Sequence, residues 1–310
     1  MATAEFVNQA QKGIKKSFDT GAMNDVNKYL NLPFLNVQTN DEWASIFTTT
    51  EGFSGAKKLT EHEAPPVNSL GDGYSITTTK NRYGVGYEIT EDDMQKMGDS
   101  STKVDLFLTR KRNRALRNVQ LLFSTEVYKF FNYAFATTYY AAPDDAALCA
   151  THTWNTAETF ANNGTAAFDE DALKDALEAI SQITDPDGEE MQVNPNAILV
   201  RKNSPAEWAA RALLAENITP ASVGDVNVFQ GSMTIYAVPG ITYANQNYWF
   251  VMDTRQVDEN PLYVGVGKYP ALTEPKIQNN EAILQNITGY WMQGIVNMPY
   301  MIYGSTGATS

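Results

Sequence analysis

The chain has one cysteine, Cys149, and two histidines, His62 and His152, among 310 residues. A single cysteine excludes an intrachain disulfide and any zinc site built on several cysteines. Two histidines leave little room for imidazole chemistry. Basic charge is also short: 23 Lys and Arg stand against 36 Asp and Glu, a net charge of −13. That balance excludes a strongly basic nucleic-acid binder. No apolar run approaches the ~18 residues of a membrane span, so no membrane is expected as a partner. No basic segment followed by an apolar one opens the chain, so no secretory signal is read. With 43% hydrophobic residues, the chain can nevertheless bury a substantial core.

The acidity is local. Residues 1–140 hold 16 basic and 16 acidic residues, residues 141–254 hold 4 and 16, and residues 255–310 hold 3 and 4. A step of that size suggests parts with different surroundings.

Residues 1–46 are polar and mixed, with a short helix expected within 10–18 and interruptions at Gly21 and Pro33. They read as an arm that packs on a neighbour. Residues 47–90 read as a long two-stranded excursion whose tip, Ala64 to Gly73, carries two prolines and two glycines. Tyr74–Lys80 and Arg82–Ile89 have strand character. Such a hairpin cannot stabilise itself in water and needs a partner surface. A helix starts at Thr90, and a longer one is predicted from about Thr102 to Tyr139, ended by Pro143. Its apolar stripe is Leu116, Val119, Phe123, Val127, Phe130 and Ala134.

Residues 144–254 read as mixed α/β. Helices are predicted from Asp169 to Ile183 and, behind the cap Ser204-Pro205, from Ala206 to Ala215. Strands are predicted at Ala197–Val200, Val226–Phe229, Thr234–Val238 and Tyr248–Met252. Further strands are predicted at Leu262–Val266, Ala282–Ile287, Tyr290–Gln293 and Ile295–Tyr303.

Catalytic signatures are weak. Tyr83-Gly84-Val85-Gly86-Tyr87 has two spaced glycines but lies in a predicted strand, where close backbone approach is the simpler reading. Cys149 and His152 are near in sequence, yet a nucleophile also needs its base within hydrogen-bond reach. Asp185, Asp187 and Gly188 resemble half a calcium loop. The twelfth position is Asn196 rather than Glu, so a tight turn is expected instead. The adjacent pairs Asp92-Asp93 and Asp144-Asp145 read as capping at helix starts. No metal, cofactor or catalytic residue is therefore expected. The one concentrated basic feature is Arg110, Lys111, Arg112, Arg114 and Arg117. It reads as a helix face that meets carboxylates of adjacent subunits, since arginine forks bind carboxylates bidentately.

The order of elements now carries weight: polar arm, hairpin, long helix, acidic α/β segment, terminal strands. Tyr83–Asp93 resembles the hairpin-to-helix junction of Mu-type head proteins. Leu173–Ile180, Asp185–Glu189 and Val193–Val200 resemble their axial-domain helix, turn and strand, and Asn247–Asp253 a late buried strand. The chain resembles the major capsid proteins of tailed bacteriophages, the Hong Kong ninety-seven-type fold, from about residue 45 to 303.

The resemblance implies an α+β fold: an N-terminal arm (1–46), an extended loop (47–90), a peripheral domain with a spine helix (91–143), an axial domain (144–254) and peripheral return strands with a tail (255–310). It also implies hexamers and pentamers of a virion capsid, made in the host cytoplasm, that enclose double-stranded DNA without reading its sequence. A scaffolding protein and a portal would be partners: the short arm carries no fused scaffolding domain, so the resemblance implies a separate scaffolding protein or a domain already removed. Lys57, Lys58, Glu61, Glu63, Arg82, Arg110, Arg112, Arg114 and Arg117 are the expected assembly residues. Lysine cross-linking through Lys57 or Lys58 occurs in only part of that family. An encapsulin-like protein nanocompartment is the nearest alternative, and an acidic α/β hydrolase a more distant one.

Overall fold

The computed structural model describes residues 32–51, 71–90, 92, 101–155, 158–215, 229, 231–255, 259–273, 276–277 and 283–308. The helix expected within 10–18, Lys57, Lys58, Glu61, His62, Glu63 and residues 226–228 lie outside them. Strands β1 (Asn36–Thr39), β2 (Ala44–Glu51), β3 (Gly71–Thr79) and β4 (Asn81–Ile89) precede a long helix, α1 (Ser101–Asn132). No glycine or proline interrupts its 32 residues, so at ~1.5 Å per residue it runs roughly 48 Å. The predicted stripe is its inner face. Leu116, Val119, Phe123, Val127, Phe130 and, just past the end, Ala134 are all buried.

The helix stops seven residues before the predicted Tyr139, and Pro143 plays no part. Asn132 ends it instead. Its side chain donates to the Gly240 carbonyl at 3.0 Å and accepts from Thr242 N–H at 2.8 Å, and its own carbonyl accepts from Asn245. A carbonyl claimed from outside the helix, together with turns at Tyr133–Ala136, redirects the chain.

One sheet contains β1, β4, β11 (Leu262–Leu272), β12 (Lys276–Ile277) and β13 (Ile283–Ile295). Sequence reading divides β13 among Ala282–Ile287, Tyr290–Gln293 and the start of Ile295–Tyr303, whose residues 296–301 are not strand, and ends β11 at Val266. Both run on. Register shifts after Val266 and after Lys268 press β11 toward Gly289, where a Cβ would sit 3.2 Å from the Lys268 carbonyl, so glycine lets the strand pass. Strand β4, read as continuing the excursion, pairs with β13 from Ile89↔Ile283 to Asn81↔Trp291. Tyr83 stacks on Trp291 at 3.9 Å, and Phe123 of α1 meets the same indole edge-on. The other face takes the hairpin β2–β3: Phe47 packs on Tyr263, and Thr78 touches Met292. Covered on both sides, β11 reads as an unbroken buried run from Leu262 to Val266.

The second sheet has the order β7-β14-β10-β8-β9. Its strands are β7 (Asn163–Gly164), β8 (Ala197–Arg201), β9 (Thr234–Val238), β10 (Trp249–Met252) and β14 (Ile302–Ser305), and a small pair, β5 (Thr151–Thr153) with β6 (Thr159–Ala161), stands apart. Alternation sorts its faces. Ile198, Val200, Trp249 and Val251 pack under two helices, α2 (Glu170–Ser181) and α3 (Pro205–Leu214). Ala197, Leu199, Phe250 and Met252 belong to the core that holds Phe131 of α1. Ser204 caps α3 as predicted, accepting from Glu207 N–H at 3.1 Å with Pro205 following, whereas Asp169, read as the first residue of its helix, proves to be the cap of α2 and accepts from Ala172 N–H at 2.7 Å.

Candidate assembly surface

The residues closest to catalytic chemistry are held by the fold. Cys149 is buried, and burial pushes its thiol up, away from the reactive thiolate. His152 does not face it. Its Nδ1 lies 3.1 Å from both Asp144 carboxylate oxygens, and its Nε2 faces the Leu148 carbonyl at 3.3 Å. Burial raises the Asp144 carboxyl, but His152 and the N–H groups of Thr153 and Ala146 outweigh it and hold the group below its usual range. Asp144 and Asp145 therefore do not cap a helix. They occupy a turn in which Asp145 has φ 61°.

The Asp185–Gly188 segment is the tight turn expected. Asp185 Oδ1 accepts from the N–H groups of Asp187 at 2.9 Å and Glu189 at 2.8 Å, and Gly188 takes φ 83°. The carboxylate serves its own backbone. Among the described residues, no group of three or more His, Cys, Asp or Glu is arranged to hold a metal ion. Gly84 and Gly86 lie in the β4–β13 ladder, and a Cβ at Gly84 would fall 2.8 Å from the Ile287 carbonyl. Close approach explains that spacing. An open cavity of about 380 Å³ lies at the end of α1, lined by Asn132, Tyr133, Phe135, Thr242, Asn245 and Tyr248. Amides and rings line it, with no acid–base pair.

What remains exposed is built for contact. Arg110, Arg114 and Arg117 stand on α1 opposite its buried stripe, with Leu121, 65% exposed, one turn on. None of the three forms an ion pair with a described residue. Lys111 instead donates to the Glu88 carbonyl at 3.0 Å, which ties α1 to β4. Arg112 is in the helix. Arg82 is exposed on β4, its guanidinium 5.9 Å from the Tyr290 ring. At the base of the hairpin, Trp43 and Ile46 are 66% and 71% exposed.

Sequence reasoning missed two ties and one surface. Asp253, almost fully buried, accepts from Arg255 Nη2 at 2.8 Å and from Asn194 N–H at 3.0 Å. Burial opposes its charge, yet Arg255 and these N–H groups hold its carboxyl below the usual range. Asn162, fully buried, donates to the carbonyls of Leu148, Pro299 and Ile302 and accepts from Ala150 N–H. Neither residue carries a local signal. Trp208, counted simply as part of a helix, is 61% exposed. No helix among the described residues is long and apolar enough to cross a membrane.

The sequence matches the model of a family described as phage capsid protein over residues 73–297. No curated protein matches it. Its fold is similar to that of a solved chain of Mycobacterium phage Patience, with TM-score 0.53 and 11% identity over 96% of this chain and 89% of that one. A chain of Microbacterium phage Oxtober96 gives TM-score 0.50 and 11% identity over 87% and 88%. A chain of Mycobacterium phage Bobi gives 0.50 and 12% over 92% and 91%. At such identities the likeness is one of fold, α+β and of the phage capsid type.

Proposed function

Because this chain belongs to the phage capsid protein family, we propose that it builds the hexamers and pentamers of an icosahedral head around double-stranded DNA. Its role is that of a structural major capsid protein in a shell of many subunits, and its place is the virion capsid. One observation carries the proposal: the family match runs from the hairpin strand through the long helix and the acidic segment to the last long strand. The remainder of the reading follows the same logic. The arm ahead of Phe34 and the loop between β2 and β3 reach over neighbours, while Phe34, Leu35, β1 and β4, read as arm and loop, stay in the subunit's own core and sheet. Residues 144–254, joined by β14 from the return segment, gather around local symmetry axes, and residues 91–143 with the rest of 255–310 form the wall. Arg110, Arg112, Arg114 and Arg117 meet carboxylates of adjacent subunits, and Lys57 and Lys58 lie in the reaching loop. The subunit works by contact and performs no enzymatic step. A separate scaffolding protein, a portal and synthesis in the host cytoplasm complete the scheme.

The −13 charge suits this role. A container that holds DNA without gripping it gains nothing from a basic lining. No observation favours a protein nanocompartment over a phage head, and the family match displaces the hydrolase reading. Negative-stain microscopy of the purified protein tests the proposal, together with nuclease digestion of particles from phage-producing cells. Closed shells with nuclease-protected DNA are expected. A stable monomer that never closes into shells would overturn it, and shells that hold only protein would overturn the DNA part.

A further inference from the structure

The helical layer of the acidic segment carries two outward faces of opposite character. Helix α3 buries Ala206, Ala210 and Leu214, yet its opposite side is also apolar. Pro205, Trp208 and Ala212 follow one another at spacings of 3 and 4 and are all exposed, and Ala215, just past the end of the helix, is exposed as well. An apolar stripe on the solvent side of a helix marks a contact surface. Lys202 precedes the cap of α3 and Arg211 lies on the helix beside the stripe, two of the four basic residues between 141 and 254; a third, Arg201, is turned to the Ile241 carbonyl and the Tyr243 ring. Arg211 is held by Glu207 at 2.8 Å with its side chain 57% exposed, and Lys202 is exposed.

Helix α2 presents the reverse. Asp171, Asp175 and Glu178, at i, i+4 and i+7, are exposed on the side away from Leu173, Ala176 and Ile180. Lys174 is the one basic residue there, and it is engaged by Glu170 at 2.7 Å. The two helices cover one face of the sheet, α2 over β14 and α3 over β8 and β9.

We infer that the outer face of α3 is a docking surface for the acidic α2 face of a second copy of this chain. Charge complementarity selects the occupant. In a segment with 16 acids and 4 bases, Lys202 and Arg211 on the α3 side have their match in the acidic α2 face of every other copy. Trp208 supplies the apolar anchor such contacts concentrate on. The inference rests on the reading of the chain as a shell subunit.

The test is a charge exchange scored by shell yield. Asp175→Lys and Lys202→Glu each place like charges across the contact, and each lowers the yield by more than about tenfold. The two changes together in one chain restore it to within about threefold of the unaltered protein, on the same basis. Trp208→Ala lowers the yield without changing charge. Because all three side chains are exposed, the thermal midpoint of the free subunit stays put and separates lost contact from lost fold. Three single variants that all assemble normally overturn the inference. So does a double variant that folds and fails to recover. An unaltered protein that forms no shells overturns the shell reading itself, a distinct result.

Discussion

His152 and Asp144 form a closed pair in the core, with imidazole Nδ1 3.1 Å from each carboxylate oxygen, His152 wholly buried and Asp144 nearly so. Asp144 also accepts from Thr153 and Ala146 N–H, so one carboxylate fixes the turn at 144–146 and the end of β5 together. Removing one partner of a buried pair strands the other.

Asp144→Ala is therefore expected to cost about 3–5 kcal/mol, read by denaturant unfolding. The pH dependence has a definite sign. The Asp144 carboxyl lies below its ordinary 3.8 in the folded chain, so its contribution is complete above that value and drains away as pH falls through the lower folded one. Between neutral pH and about pH 3, the unaltered protein should lose more stability than Asp144→Asn does. Parallel losses would show that the pair does not couple to acid unfolding.

Gly240 makes the second prediction. A Cβ there would overlap the ring of Tyr128, itself 2% exposed on α1, while the Gly240 carbonyl receives Asn132. Neither side can yield without disturbing the end of α1. Gly240→Ala is expected to destabilise the fold by about 1–3 kcal/mol. Gly231→Ala is a useful contrast: nothing lies within 4 Å of its Cβ position, and the cost there comes from its φ of 62° alone. A Gly240→Ala variant that melts like the unaltered protein would mean that Tyr128 moves aside at no cost.

These residues also mark what the sequence can and cannot reveal. The buried stripe of α1, the cap at Ser204 and the short apolar runs of β8 and β10 were legible because each is a periodic or local pattern. The end of α1 was not. Asn132 stops it through partners more than 100 positions away, while no glycine or proline marks the place. Strand character at 82–89 was legible, but alternation names no partner, and β13 lies some 200 residues on. The neighbours Cys149 and His152 drew the eye, although the relation that matters runs from His152 back to Asp144. Of the assembly residues, the outward placing of Arg110, Arg114 and Arg117 followed from helical phase, whereas Lys57, Lys58, Glu61 and Glu63 lie outside the described residues.

The arginine face yields a third prediction. Arg114→Glu with Arg117→Glu removes no internal ion pair to a described residue, so the free subunit should melt within about 0.5 kcal/mol of the unaltered protein. Shell assembly should fail, because the carboxylates these groups are proposed to meet would face like charge. Sedimentation separates subunits from shells. Normal shells from this variant would remove the arginine face from the assembly surface.

The extended loop gives the fourth. Glu51 and Gly71 are partners across the β2–β3 ladder, so the chain ends left by excising residues 52–70 already lie side by side. A two-residue Asn-Gly turn can join them. A longer excision, residues 56–80, would be a poor test, since it takes Thr78 from Met292 and removes Lys80, a buried side chain packed against Gly267. Loss of shells would then report a damaged sheet. With the shorter replacement, Phe47 still packs on Tyr263 and the subunit should unfold at the same denaturant midpoint. If the loop reaches over neighbours, that intact subunit closes no shells under the electron microscope. Particles of normal size and yield from it would show that residues 52–70 are dispensable for closure and that the hairpin base, with Trp43 and Ile46 exposed, makes the contact instead.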